Sequence, residues 1–166
     1  MAILIAIPIL GGLAILQSSI VSALPVLLGT ADLVLVAILA WSLQDRNQAV
    51  WEWSLIGGII MTFVSGLPFG VYLLAYLLAT LFGRLIRHLV CQVPFLGMLG
   101  ATFMGTMFVH AIAWFSRWLT GVNIQIEQSF NLIILPSLLL NLLLSVPAYF
   151  GIRDLAGWLY PEEIEV

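Results

Sequence analysis

Few side chains in this sequence are equipped for chemistry: Asp32, His110, Gln17, Ser65, Asn131 and Asn141 stand out from an apolar background. Asp32 opens the apolar run "LVLVAILAW". A carboxylate there either caps a helix, accepting a free backbone N–H and complementing the dipole, or faces an ion or a partner near a membrane surface. Gln17, with Ser18 and Ser19, and the amides Asn131 and Asn141 lie within or near the ends of apolar segments. Such groups seek one another across helices, so interhelical hydrogen bonds that fix a bundle are the expected use. His110 has no acidic or histidine neighbour to form a relay or a metal site, and a packing role is expected. Ser65 has no motif-bound histidine beside it. The sequence carries no HExxH, no GxSxG, no Walker-type glycine loop and no pair of carboxylates inside an apolar segment. These observations point to a protein that is not an enzyme, with no cofactor and no metal site. The one cysteine, Cys91, allows no intrachain disulfide and reads as a small apolar filler.

The elements that hold these residues belong in a membrane. Hydrophobic residues make up 63% of the chain and charged residues 8%, against roughly 25% charged in soluble domains. Its 166 residues suffice for one compact all-α bundle, a single integral-membrane domain over 1–166, with no soluble domain beside it. The net charge of −3 owes much to the tail "PEEIEV". Five arginines and no lysine give no polybasic surface, which excludes nucleic acid as a partner.

Cutting the chain at its charges and turn residues predicts six spans, near 2–23, 26–44, 52–66, 70–90, 95–118 and 130–152. The second and third are marginal in length, so one of them is a candidate for a partial or re-entrant crossing. The N-terminus lacks a basic region and its apolar run exceeds signal-peptide length, which predicts a retained first span. Alternating the spans puts Arg46, Arg84, Arg87 and Arg153 on one side and Arg117 on the other. The positive-inside rule then makes both termini cytoplasmic, with those four arginines as anchors that snorkel to the headgroups of membrane lipids. Residues 151–166 read as a short amphipathic end with Trp158 and Tyr160 at the interface, followed by acidic tail.

Small residues punctuate the third and fifth spans. Gly57, Gly58, Ser65 and Gly66, and Gly97, Gly100, Ala101 and Gly105, allow backbones to approach closely, either within the chain or to a partner's helix. The "GLPFG" turn at 66–70 reverses the chain between the third and fourth spans, using the freedom of Gly66 and Gly70 and the missing amide of Pro68.

Three stretches together resemble the bacterial rod-shape-determining MreD family. They are "LQSS" with "ADLVLVAILAW", then "GGIIMTFVSGLPFGVYLLAYLLATLFGRL", and the last span with Asn141 and Pro147. Two positions depart from the family pattern: Ala31 stands where proline is common, and Thr62 where an aspartate is usual. The resemblance implies a non-catalytic scaffold of the cell-elongation machinery in the inner membrane. It would bind the membrane anchor of an MreC-like protein and so link the MreB filament to the RodA and penicillin-binding protein 2 peptidoglycan synthases. Gln17, Asp32, Gly57, Gly58, Gly66, Pro68 and Gly70 are the expected partner-binding positions. The family's fold is distantly similar to substrate-binding subunits of energy-coupling-factor vitamin transporters. That supplies an alternative function, in which the small-residue pair Ala2 and Ala6 would dock a coupling subunit.

Overall fold

The computed structural model describes residues 2–23, 29–44, 49–89, 94–122 and 125–160. Among them all the regular structure is helical: α1 (Ala2–Ala23), α2 (Leu33–Ser42), α3 (Val50–Val64), α4 (Val71–Leu89), α5 (Pro94–Leu119), and a short α6 (Ile126–Ser129) that runs through a π-helical turn (Phe130–Ile134) into α7 (Leu135–Leu159). Four helical stretches are long and apolar enough to cross a membrane: Ala2–Ser19, Val71–His88, Pro94–Leu119 and Ile126–Leu159. The protein is therefore an all-α membrane bundle. The other two apolar helices are shorter. At ~1.5 Å per residue, α2 rises about 15 Å and α3 about 22 Å, against a hydrocarbon thickness of roughly 30 Å.

Among the described residues of the second predicted span, 26–44, the helix runs from Leu33 to Ser42. Its physical reason is visible at Gly29–Asp32, which is held out of helical form against α7. A methyl group built on Gly29 would lie 2.7 Å from the Ile133 carbonyl oxygen and 2.8 Å from the Ser137 nitrogen, so only glycine lets the two backbones meet. The last helical stretch also begins earlier than predicted, at Ile126. Pro136 lacks the N–H that a regular helix would need there, and in the π turn before it the Leu135 N–H reaches back to the Phe130 carbonyl.

Every residue of α2 after Leu33 is buried. A helix that is apolar all round has no face for lipid or water and belongs at the centre of a bundle. Here α1, α3, α4, α5 and α7 all pack on it. The exterior is apolar as well: Leu4, Phe63, Phe69, Leu143 and Trp158 are each more than 70% exposed, with values of 73%, 79%, 82%, 71% and 73%. Ser42, Ser54, Thr80, Thr102, Thr106, Ser137, Asn141 and Ser145 are buried. Polar groups inside and large apolar side chains outside match hydrocarbon as the surrounding solvent.

Neighbouring helices alternate in direction. At the start of α2, Asp32 meets Tyr76 of α4 and Asn141 of α7. At its end Trp41 stacks on Trp53 of α3, with ring centres 4.1 Å apart and planes within 7°, and the Trp53 indole donates to the Ala2 carbonyl at 3.2 Å. Thus α2, α4 and α7 run one way and α1, α3 and α5 the other. The start of α1 and the end of α7 share one end of the bundle with Arg84, Arg87 and Arg153, while Arg117 lies at the opposite end.

Of the glycines expected to shape a partner's groove, Gly57 lies beneath Ile38 and Val34 of α2 and Gly58 beneath the Leu73 backbone of α4, both buried by the chain itself. Their close approaches are intramolecular. Ala2 and Ala6 are likewise buried within the chain, whose α1 packs on α2 and α3, and offer no outward docking pair. A methyl group on Gly58 would come within 2.7 Å of the Leu73 Cα, whereas one on Gly100 meets nothing within 4 Å. Gly58→Ala should lower stability in detergent by about 1–3 kcal/mol, and Gly100→Ala should raise it by roughly 0.5–1 kcal/mol through helix propensity. Thermal melts of the two purified variants measure the contrast.

Candidate functional site

A helix that starts inside an apolar bundle leaves backbone N–H groups with no water to receive them. At α2 side chains from α1 and α7 and the cap itself serve instead. The Asp32 carboxylate accepts the Leu35 N–H at 3.0 Å, the cap expected from sequence. Gln17 of α1 accepts the Leu33 N–H through Oε1 at 2.9 Å. Asn141 of α7 accepts the Asp32 N–H through Oδ1 at 2.7 Å and donates its own amide to Thr106 of α5 at 3.0 Å. The Thr30 N–H donates to the Ser137 hydroxyl at 2.9 Å. The Tyr76 hydroxyl of α4 donates to the Asp32 carboxylate, 2.7 Å from one oxygen and 2.8 Å from the other.

Gln17 and Asn141 therefore make interhelical hydrogen bonds, as their residue types suggest. The Ser18 and Ser19 hydroxyls donate to the Ile15 carbonyl of their own helix. Asn131 is exposed. Thr30, Tyr76, Thr106 and Ser137 join the site without having been singled out in the sequence. Hydroxyl residues are common enough in membrane helices that nothing local marks these four.

Beside this network lies a cavity of about 50 Å³, whose lining includes Gln17, Thr30, Asp32, Tyr72, Thr106 and Asn141, with His110 also facing it. Thr106 sits near the middle of α5, which places the cavity within the bundle. The lining has one carboxylate, two amides, three hydroxyls and an imidazole, and can hold water or a small polar species.

The other end of α2 is closed in the same manner. Ser42 donates to the Leu39 carbonyl at 2.7 Å, Gln44 donates through Nε2 to the Ala40 carbonyl at 3.1 Å, and Arg87 donates to the Gln44 carbonyl at 3.0 Å. Arg87, expected as a membrane anchor, thus also ties α4 to the exit of α2. Arg84 is half-buried one turn earlier, Arg153 is exposed over the Phe150 ring at 4.9 Å, and Arg46 and Cys91 lie outside the described residues.

The "GLPFG" turn lies at the end of the bundle that carries Arg117. Gly70 has φ of +87°, a value that favours glycine, and the Val71 N–H returns to the Pro68 carbonyl at 3.3 Å. Gly66, without such an angle, faces open space. Gly66, Leu67 and Pro68 form one wall of an open groove of about 490 Å³ whose other wall is Arg117, Thr120 and Val122. The predicted partner-binding residues therefore divide among three places: Gln17 and Asp32 at the internal cavity, Gly57 and Gly58 in interhelical contacts, and Gly66, Pro68 and Gly70 at the groove and its turn.

Comparison with known proteins finds no family, no curated protein and no solved structure that matches this chain.

Truncating the cap isolates its contribution. Asn141→Leu leaves the Asp32 N–H and the Thr106 hydroxyl without their partner, each a buried group costing about 1–3 kcal/mol. The apparent melting temperature should fall by roughly 5–10 °C, while Asn131→Leu, on the exposed surface, should leave it unchanged. Parallel melts in one detergent check both.

Proposed function

We propose that this chain is a non-catalytic scaffold subunit of the bacterial cell-elongation machinery, resident in the cytoplasmic membrane with both termini in the cytoplasm. On this reading it holds the membrane anchor of an MreC-like protein and, through it, connects the MreB filament with RodA and penicillin-binding protein 2. The MreD-like motifs supply the family expectation. The observation that carries the reading is a division of labour: the interior hydrogen bonds are used by the chain itself, while the glycine-proline turn of the strongest motif, "GLPFG", borders an open groove.

Charge supports the orientation. Arg84, Arg87 and Arg153 share one end of the bundle with the chain's start, and retained arginine favours the cytoplasmic side. The groove then faces the outer surface, where Phe69, 82% exposed, offers an aromatic anchor of the type that dominates binding hot spots. The transporter alternative is weakened on two counts. The internal cavity, about 50 Å³, is far below the roughly 300–1,000 Å³ of ordinary small-molecule sites, and the Ala2–Ala6 pair is covered by the chain itself.

Gly66→Leu combined with Phe69→Asp should fill the groove and place a charge on the exposed turn beside it without touching the core. Co-purification of an MreC-like protein with the tagged variant should drop by about tenfold or more, equivalent to ~1.4 kcal/mol, with membrane insertion unchanged. Capture at the level of the unaltered protein would reject the groove as the docking face. Recovery of an ATPase pair and a vitamin-sized ligand would instead establish the transporter.

A further inference from the structure

We propose that the cavity beside Asp32 is a binding site for a monovalent alkali cation. It is separate from the groove and does not depend on the scaffold reading. Six oxygen-bearing side chains converge there from α1 (Gln17), the extended segment before α2 (Thr30, Asp32), α4 (Tyr72), α5 (Thr106) and α7 (Asn141). The volume, about 50 Å³, accommodates a small ion with one or two waters, since a water needs roughly 10–15 Å³ by the same measure.

The oxygens have capacity to spare. Leu35 and Tyr76 donate to Asp32, whose two carboxylate oxygens offer about four acceptor positions. Gln17 and Asn141 each give one carbonyl lone pair to a backbone N–H and keep the other. Hard neutral oxygens around one carboxylate match alkali-cation chemistry. A divalent ion is less well matched, because among the described residues no group of three His, Cys, Asp or Glu side chains converges.

Charge balance points the same way. No lysine or arginine lines the cavity, and a carboxylate inside a membrane bundle requires compensation. The titratable groups facing Asp32 are Tyr72 and Tyr76 of α4 and His110 of α5. Of these only His110 can carry positive charge, so a protonated His110, or a proton held by the Asp32 carboxyl itself, is the rival to a bound cation; Arg117 of α5 acts on Tyr72 but does not line the cavity.

The test is a thermal melt of the purified full chain in nanodiscs, titrating sodium chloride and then potassium chloride against choline chloride at constant ionic strength. One of the two alkali ions should raise the midpoint saturably by about 5 °C, as a ligand specific to the folded state does. Asp32→Asn, which retains a capping oxygen, should abolish the rise. Thr106→Val should shift the half-saturating concentration upward by about tenfold, the loss of one ligand. Identical melting in sodium, potassium and choline would overturn the proposal and leave the cavity to water. A midpoint that follows pH, is indifferent to the cation and loses its pH response in His110→Gln would overturn it in favour of the imidazolium.

Discussion

The structure depends on one constraint: the backbone groups at both ends of α2 must be satisfied where no water reaches them. An apolar helix in the middle of a bundle is stabilised by packing on every side, but each unsatisfied group at its termini would cost free energy there. Gln17, Asp32 and Asn141 at the start, and Ser42, Gln44 and Arg87 at the end, remove that cost. Each terminus thereby ties α2 to other helices, and the hydrogen bonds that cap one helix also set the register of the bundle.

Packing follows from that arrangement. With α2 fixed, small residues facing it let the surrounding helices close in, as Gly57 does beneath Val34 and Ile38 and Gly105 beneath Leu39. The stacked pair of Trp41 and Trp53 fills the opposite end. What is left for lipid is the apolar outer stripe of the long helices, and the turn and groove lie open at one end of the bundle.

The sequence made the membrane setting and the capping role of Asp32 legible because both are local: one is composition, the other a carboxylate directly before an apolar run. It made the shortness of α2 only partly legible. The sequence from 26 onward is apolar enough to carry a helix, and what holds Thr30 and Asp32 out of one is bonding to Ser137 and Asn141, 107 and 109 positions away. Separations of 44 and 35 positions likewise hid Tyr76 and Thr106. Gly57 and Gly58 show a different limit: a small-residue patch announces close approach, but not whether the neighbour is the chain itself or another protein.

The most direct measurement is residue-resolved hydrogen–deuterium exchange across Thr30–Val36 in lipid nanodiscs. If side chains from α1 and α7 cap α2, the amides of Thr30, Asp32, Leu33 and Leu35 exchange as slowly as those in the middle of α5, despite lying outside or at the first turn of a helix. Exchange at those four positions as fast as in the Gly66–Gly70 turn would contradict the account and mean that α2 begins in contact with water.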